Sequence, residues 1–183
     1  MTEAQKTIVE AASEVVVGVG DFRMASEPSR FLATYGLGSC VAVLLYDWRK
    51  RAGALLHVMM SDSSVAPEKA LRQPFAYVDT AMPKMFKAIA ASGVSPRRTR
   101  CCIVGGASMI ASPAHFEIGK RNVLALRKAL WKEGVFIDRE EIGGNESRSV
   151  RLDLKTGGVT MRKGSAPETV LQQPSITSFV LEK

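Results

Sequence analysis

The apolar residues of this chain follow two patterns: short runs in some segments, and a helical spacing of three and four in others. In the first third, apolar and β-branched residues form short runs at 15–22, 30–35, 41–46 and 54–60, separated by Gly, Pro, Asp and Ser. Runs of this length between turn-forming residues predict β-strands. Four such strands in succession favour a meander, in which each strand pairs with the next.

Two later stretches have the period of an amphipathic helix instead. Within 74–92, apolar residues recur at spacings of three and four: Phe75, Val78, Met82, Met85, Phe86 and Ile89. Within 118–133, one face carries Ile118, Val123, Leu126 and Leu130, and the other faces are rich in Lys and Arg. Each stretch is followed by a glycine, which commonly ends a helix, so the pattern predicts two long amphipathic helices.

Further strands are predicted at 99–104, 135–142, 149–154 and 158–163, the last two joined by the turn sequence KTGG. The mixture of elements predicts an α/β, or α+β, fold. With 183 residues, 46% of them hydrophobic and 23% charged, the chain is the size of one globular domain with a sizeable core.

The ends of the chain differ from its regular middle. Residues 1–14 are polar and acidic and are interpreted as an N-terminal extension, before a single domain at 15–163. Residues 164–183 are interpreted as a C-terminal tail. Its last nine residues, SITSFVLEK, are apolar enough to dock against a protein surface.

The net charge of +7 does not by its size identify a binding partner. Basic residues are scattered over 48–51, 97–100, 120–128 and 148–163, with few aromatic residues nearby for stacking on bases, so we do not expect nucleic-acid binding. Attraction to an acidic protein surface, or to an anionic membrane near a substrate, fits the charge equally well. No apolar run approaches the roughly 20 residues that cross a bilayer, so we expect a cytoplasmic protein without membrane insertion.

The three cysteines do not form an evident disulfide framework, because their number is odd and Cys101 and Cys102 are adjacent. Adjacent residues of a strand point to opposite faces and no Cys-x-x-Cys pair occurs, so we expect core packing rather than a metal site with His115. We interpret His115 as a solvated loop residue. No phosphate-binding loop motif is present, and no cofactor is expected.

Cys40 and His57 form the most promising pair for chemistry. If 47–50 is a four-residue hairpin loop, Tyr46 faces Arg51 and, in the same register, Cys40 faces His57. Directly opposed residues of antiparallel strands have Cβ atoms roughly 4.5–5.5 Å apart on one face of the sheet. A histidine at that distance can take the thiol proton and favour the nucleophilic thiolate near neutral pH.

The sequence GLGS directly before Cys40 suits the same chemistry. Its glycines let the backbone approach a substrate closely, so amide N–H groups at Gly38 and Ser39 could bind an oxyanion. The alternative interpretation is structural: Cys40 as a small buried side chain and His57 as a hydrogen-bonded core histidine. The residues alone leave both interpretations open.

Several separated motifs, in order, resemble one known family. They are TYGLGSCVAVLLYD, GALLHVMMSDS, VGGASM, IGKRN and EEIGGNESRSVRLDLKTGGV. Over about 15–163 the chain resembles CheD, the chemoreceptor glutamine deamidase family of bacterial chemotaxis. One departure follows His57, where the proline of the family's His-x-x-Leu-Pro pattern is missing. The resemblance implies a sandwich of mixed, largely antiparallel β-sheets with the two long helices on its outer faces.

The resemblance also implies a site and a reaction. The catalytic residues would be Cys40, His57 and Thr34, six residues before the cysteine. The implied enzyme is a protein-glutamine glutaminase: it converts glutamine side chains of chemotaxis receptors to glutamate through a thioester, and a similar site could hydrolyse glutamate methyl esters. The implied partners are the cytoplasmic domain of a receptor and a CheC-type phosphatase of the chemotaxis response regulator. The competing hypothesis is a non-catalytic adaptor that binds these partners.

Overall fold

A computed structural model describes residues 13–26, 31–108 and 113–174, without the side chains of 113–117. The strands are β1 (Glu14–Val16), β2 (Asp21–Ser26), β3 (Phe31–Leu37), β4 (Val41–Asp47), β5 (Ala52–Val58), β6 (Arg100–Gly105), β7 (Arg139–Ile142), β8 (Arg148–Asp153), β9 (Val159–Lys163) and β10 (Thr169–Gln172). The α-helices are α1 (Pro67–Arg72), α2 (Val78–Ala91) and α3 (Pro113–Lys132). Short 3-10 helices occur at Ser63–Val65, Pro74–Ala76 and Pro96–Arg98.

The strands form two five-stranded sheets. The first sheet has the order β1-β3-β8-β9-β10, and the second has the order β2-β5-β4-β6-β7. The β1–β3 and β6–β7 pairs are parallel and the other pairs are antiparallel. The predicted α+β fold with mixed, largely antiparallel sheets is therefore confirmed.

The two sheets and the long helices stack in layers, because β4 and β5 are apolar on both faces. One set of their side chains packs against the first sheet: Ala42, Leu44, Tyr46 and Leu55 lie with Leu32, Val150, Leu152 and Val159. The alternate set packs against α2 and α3: Val41, Val43, Leu45 and Leu56 lie with Met82, Met85, Leu126 and Leu130. The two predicted helices are confirmed, and both cover the outer face of the second sheet.

The predicted strand at 15–22 and the predicted meander are wrong. The chain leaves the first sheet after β1 and enters the second sheet at β2, turning through Gly20 with a φ of 70°. β3 then returns to the first sheet, so of the first strands only β4 and β5 form a hairpin. The hydrophobic pattern indicates that a strand is buried, but not which of two stacked sheets contains it.

The sheets extend beyond the segment predicted as the domain. β1 begins at Glu14, and β10, within the predicted C-terminal tail, pairs with β9. The SITSFVLEK segment and residues 1–12 lie outside the described part of the chain. None of the helices in the described part has the length and apolarity of a membrane span.

Candidate active site

The β4–β5 hairpin has a different loop from the predicted one. Asp47 pairs with Ala52, whereas the prediction paired Tyr46 with Arg51. The side chain of Asp47 accepts hydrogen bonds from the amide N–H groups of Arg49 and Lys50, at 2.9 and 3.3 Å. These bonds make Asp47 the residue that starts the turn, so the loop is 48–51. Arg51 closes it with a φ of 45°.

As a result, His57 faces Ala42, and the predicted direct opposition of Cys40 and His57 is wrong. Cys40 lies two residues before Ala42. Because side chains alternate with a period of two, this shift leaves it on the same side of the sheet as His57, diagonally placed. Cys40 packs against the apolar cluster between the two sheets. Thiol and imidazole therefore share one region, at the end of the gap between the sheets.

Thr34 joins His57 across that gap, from β3 of the first sheet to β5 of the second. The Thr34 Oγ1 and His57 Nδ1 atoms are 2.8 Å apart, and the Thr34 hydroxyl also donates to the carbonyl oxygen of Val17 at 2.7 Å. A hydroxyl has one proton, so the Thr34 oxygen accepts a hydrogen bond from Nδ1–H. His57 consequently has its lone pair on Nε2, a buried atom without a hydrogen-bond partner among the described residues.

Burial sets the protonation state of both candidate catalytic groups. His57 is 1% exposed, and burial lowers its pKa to about 4, so its imidazole is neutral at pH 7. Burial raises the pKa of the Cys40 thiol, a trend only partly opposed by its own backbone N–H. The resting site therefore pairs a neutral thiol with a neutral base. This differs from the expected thiolate at neutral pH.

A β-bulge near the end of β3 precedes the loop that contains Cys40. Thr34 pairs with Val150 and Leu37 with Arg148, so β3 contains one residue more than β8 over this interval. Gly36, within the bulge, has a φ of 68°, which glycine adopts at little cost. Bulges bend a strand and redirect its side chains. After the bulge β3 pairs with β8 once more, Leu37 with Arg148, and the loop at 38–40 follows.

The loop before β4 is held by its carbonyl groups. Three consecutive carbonyl oxygens accept hydrogen bonds: Gly38 from Ala107 N–H at 2.7 Å, Ser39 from Asn122 Nδ2 at 3.1 Å and Cys40 from Gly106 N–H at 2.8 Å. In a trans peptide the carbonyl and the next N–H point in opposite directions. The N–H groups of Ser39 and Cys40 therefore point away from the turn after β6 and from α3.

The turn after β6 requires glycine where it meets this loop. Gly105 has a φ of 125°, and a Cβ atom there would lie 2.2 Å from the Cys40 carbonyl oxygen. Gly106 has a φ of 69°. The close approach of this turn to Cys40 is specific to the tertiary structure.

The sequence pattern predicts no functional role for Asn122, although its motif IGKRN is part of the resemblance. It is fully buried, and its Nδ2 group donates to the carbonyl oxygens of Ser39 and Met59. Its position in the sequence could have indicated a role, because Asn122 lies beside Val123 and Leu126 on the apolar side of α3, where an amide is unusual.

The other cysteines are core residues, as predicted. Cys101 packs in the cluster beneath the helices and Cys102 in the cluster between the sheets, on opposite faces of β6. The Cys102 thiol donates to the Gln172 side chain at 3.1 Å. Burial raises the pKa of Cys102 to about 12 and that of Cys101 well above its usual value. His115 was predicted in a loop but belongs to α3, and its side chain lies outside the described residues.

These differences predict selective alkylation. Brief treatment with dilute iodoacetamide should label Cys40 first, because Cys101 and Cys102 are buried. Since burial raises the pKa of Cys40, the labelling rate should still be increasing at pH 8 rather than levelling off near pH 7. Peptide mapping at a series of pH values tests both points. A plateau of the Cys40 rate below neutral pH would show a resting thiolate and contradict this description.

The fold and the site together define a class: a two-sheet α+β protein with a cysteine, a histidine and a threonine at one end of the gap between its sheets. The model of the family described as CheD chemotactic sensory transduction matches residues 59–163. This chain belongs to the CheD family.

Similarity to individual relatives extends over most of the chain. A protein of Solibacter usitatus named "Probable chemoreceptor glutamine deamidase CheD" is 40% identical over 162 residues, which cover 88% of this chain and 96% of that protein. A relative in Syntrophus aciditrophicus with the name "Probable chemoreceptor glutamine deamidase CheD 1" is 39% identical, covering 84% and 96%. One in Thermococcus kodakarensis, named like the first, is 39% identical, covering 83% and 94%.

Proposed function

We propose that this protein is a cysteine-dependent deamidase that converts glutamine side chains in the cytoplasmic domain of chemoreceptors to glutamate. The names of its relatives support the reaction and the substrate. The single observation that carries the mechanism is the Thr34–His57 hydrogen bond of 2.8 Å, because it leaves the lone pair of His57 on Nε2, without a partner among the described residues. A base in that state is ready to accept a thiol proton.

In the first step, the Cys40 sulfur attacks the side-chain carbonyl carbon of the substrate glutamine while its proton moves to His57 Nε2. A C–S bond forms, and the carbonyl π electrons move to the oxygen. The N–H groups of Ser39 and Cys40, which point away from α3, are the proposed donors to this oxyanion. Of the two donors expected from the sequence, Ser39 is retained, and Cys40 takes the place of Gly38 in this proposal. Because the thiol and the imidazole are both neutral at rest, the proton transfer accompanies the attack.

In the second step, the C–N bond breaks and the His57 imidazolium gives its proton to the departing nitrogen, which leaves as ammonia. A thioester to Cys40 remains. His57 then takes a proton from water as the hydroxide attacks the thioester carbon, the C–S bond breaks, and the thiol regains a proton. The net reaction consumes one water and replaces a neutral amide with a carboxylate. The receptor thereby gains one negative charge.

The same acyl-enzyme would form from a glutamate methyl ester, with methanol as the leaving group in place of ammonia. This activity therefore belongs to the proposal. The family resemblance also supports a CheC-type phosphatase as a binding partner. In the alternative hypothesis of a non-catalytic adaptor, the protein binds receptor or phosphatase without changing either.

Mass spectrometry separates the enzyme from the adaptor. The purified protein is incubated with receptor cytoplasmic fragments, and the peptides are searched for the mass change from glutamine to glutamate. The proposal expects this change at specific glutamines, in proportion to time and enzyme. Binding of the fragments without any converted glutamine would favour the adaptor and overturn the proposed function.

The hydrogen bond between Thr34 and His57 predicts that removing the Thr34 hydroxyl lowers activity. Thr34→Val keeps the side-chain shape but removes the acceptor for Nδ1–H, so His57 loses its preferred tautomer and orientation. A buried hydrogen bond contributes about 1–3 kcal/mol when one partner is left unpaired, so kcat should fall roughly 10- to 100-fold. Steady-state kinetics on receptor fragments measure this. Thr34→Ser, which retains the hydroxyl, is the matched control, and equal activity of the two variants would contradict the assigned role.

A further inference from the structure

Asn122 of α3 contacts both segments that carry the proposed catalytic groups. Its Nδ2 group donates to the carbonyl oxygen of Ser39 at 3.1 Å and to that of Met59 at 2.9 Å. Ser39 directly precedes Cys40, and Met59 follows His57 by two residues. One buried amide therefore links the backbone of the cysteine loop to the backbone that continues from β5.

These two bonds lie where the pairing between the strands has ended. The β4–β5 register runs to the pair of Val41 and Val58. Continued in the same register, the next pair would be Cys40 and Met59, but neither residue belongs to the two strands. Beyond the last pair, the separation of the two segments has no ladder to maintain it. The Asn122 side chain bridges them at this point.

We propose that Asn122 is a positioning residue, which sets the distance and orientation of Cys40 relative to His57; this inference rests on the proposed deamidase function. The carboxamide suits the task because a single planar NH₂ group has two donors. An apolar side chain of similar volume would fill the same space without holding either carbonyl oxygen.

Stability of the core alone does not account for an asparagine here. Asn122 is 0% exposed, and its Oδ1 atom has no hydrogen-bond partner within the described residues. Burying an acceptor without a partner is unfavourable, and asparagine is a poor helix former. Leu126, one turn further along α3 and equally buried, shows the kind of residue that packing favours on this face.

The helix that carries Asn122 is itself closely seated on the turn that holds Cys40. A Cβ atom on Gly119, one turn before Asn122, would lie 2.5 Å from the carbonyl oxygen of Gly106. The amide of Gly106 in turn donates to the Cys40 carbonyl oxygen. Because the backbones of Gly119 and Gly106 are in close contact, α3 has little freedom to shift. The position of Asn122 relative to the loop at 38–40 is therefore well defined.

The test compares Asn122→Leu with the parental protein in steady-state deamidation of receptor fragments. We expect kcat to fall roughly 100-fold, as for a misplacement of about 1 Å at a reacting group, with KM unchanged because substrate contacts remain. The matched control is Tyr46→Phe, which removes a buried hydrogen bond to the Leu154 carbonyl oxygen at the other end of β4. It should lower thermal stability and leave kcat unchanged.

The outcomes distinguish this inference from the function on which it rests. If Asn122→Leu does not fold, Asn122→Asp carries the test, since it keeps the shape but replaces the two donors with an acceptor. A folded variant with the parental kcat overturns the positioning role. So does a change in KM as large as the change in kcat, or the failure of both variants to fold. Each of these outcomes leaves the deamidase proposal intact. A parental protein without deamidase activity overturns both.

Discussion

A Cys40→Ala variant is expected to lose receptor deamidation completely. Without the thiol no acyl-enzyme can form, and loss of a nucleophile in a comparable hydrolase lowers kcat by about 10⁶-fold. The fold should persist, because Cys40 is only partly buried and packs at the border of the cluster between the sheets. The measurement is the rate of conversion of glutamine to glutamate by mass spectrometry, together with thermal unfolding.

The matched control for Cys40→Ala is Cys102→Ala. Its thiol donates to the Gln172 side chain inside the core, so this substitution should lower the free energy of unfolding by about 1 kcal/mol and leave deamidation unchanged. A Cys40→Ala protein that works at the parental rate would refute the proposed mechanism, since burial keeps Cys101 and Cys102 protonated by raising their pKa.

A His57→Gln variant should lose roughly 10²- to 10⁴-fold in kcat, the usual contribution of a general acid and base. Glutamine is neutral and polar but cannot take the thiol proton or return it to the departing nitrogen. Steady-state kinetics on receptor fragments provide the measurement. The chain has one other histidine, His115, and His115→Gln is the control that should retain the parental kcat.

The pH dependence of the parental enzyme extends this prediction. A general base acts in its deprotonated form, so activity should be lost as the pH falls through the pKa of His57, which burial lowers to about 4. The acid limb of kcat/KM should therefore lie well below pH 6.5, the ordinary pKa of histidine. An acid limb at about pH 6.5 would contradict a buried, neutral His57.

The same pKa makes the fold sensitive to acid. His57 binds a proton near pH 6.5 in the unfolded chain but only at about pH 4 in the folded chain. The contribution of neutral His57 to the free energy of unfolding is therefore complete above pH 6.5 and is lost as the pH falls to 4. The contribution amounts to about 3 kcal/mol. It should be absent from His57→Gln.

Local sequence patterns were sufficient to predict the elements whose conformation depends on neighbours along the chain. The continuous apolar runs of β4 and β5 predict strands buried on both faces, and the helical period predicts α3. Even there, one side chain changed the outcome: Asp47 starts the hairpin turn through its own hydrogen bonds and shifts the register, so His57 faces Ala42. Residue spacing alone does not include such side-chain contacts.

Contacts between distant segments depended on the tertiary structure. Thr34 and His57 meet only because β3 and β5 lie in different sheets that stack face to face. Asn122 reaches Ser39 across 83 positions of sequence. No periodicity relates residues so far apart, because their contact depends on which sheet each strand joins and on how closely α3 approaches Gly106.

Residue types and their order were enough to predict the mixture of strands and helices, the family resemblance and, through it, the residues proposed for catalysis. The folded chain was needed to learn which sheet each strand joins, how Cys40 and His57 are placed diagonally, and how deeply the imidazole is buried. Residue types and their spacing specify local conformation and possible chemistry. Burial, tautomer and pKa arise from atoms that only the folded chain brings together.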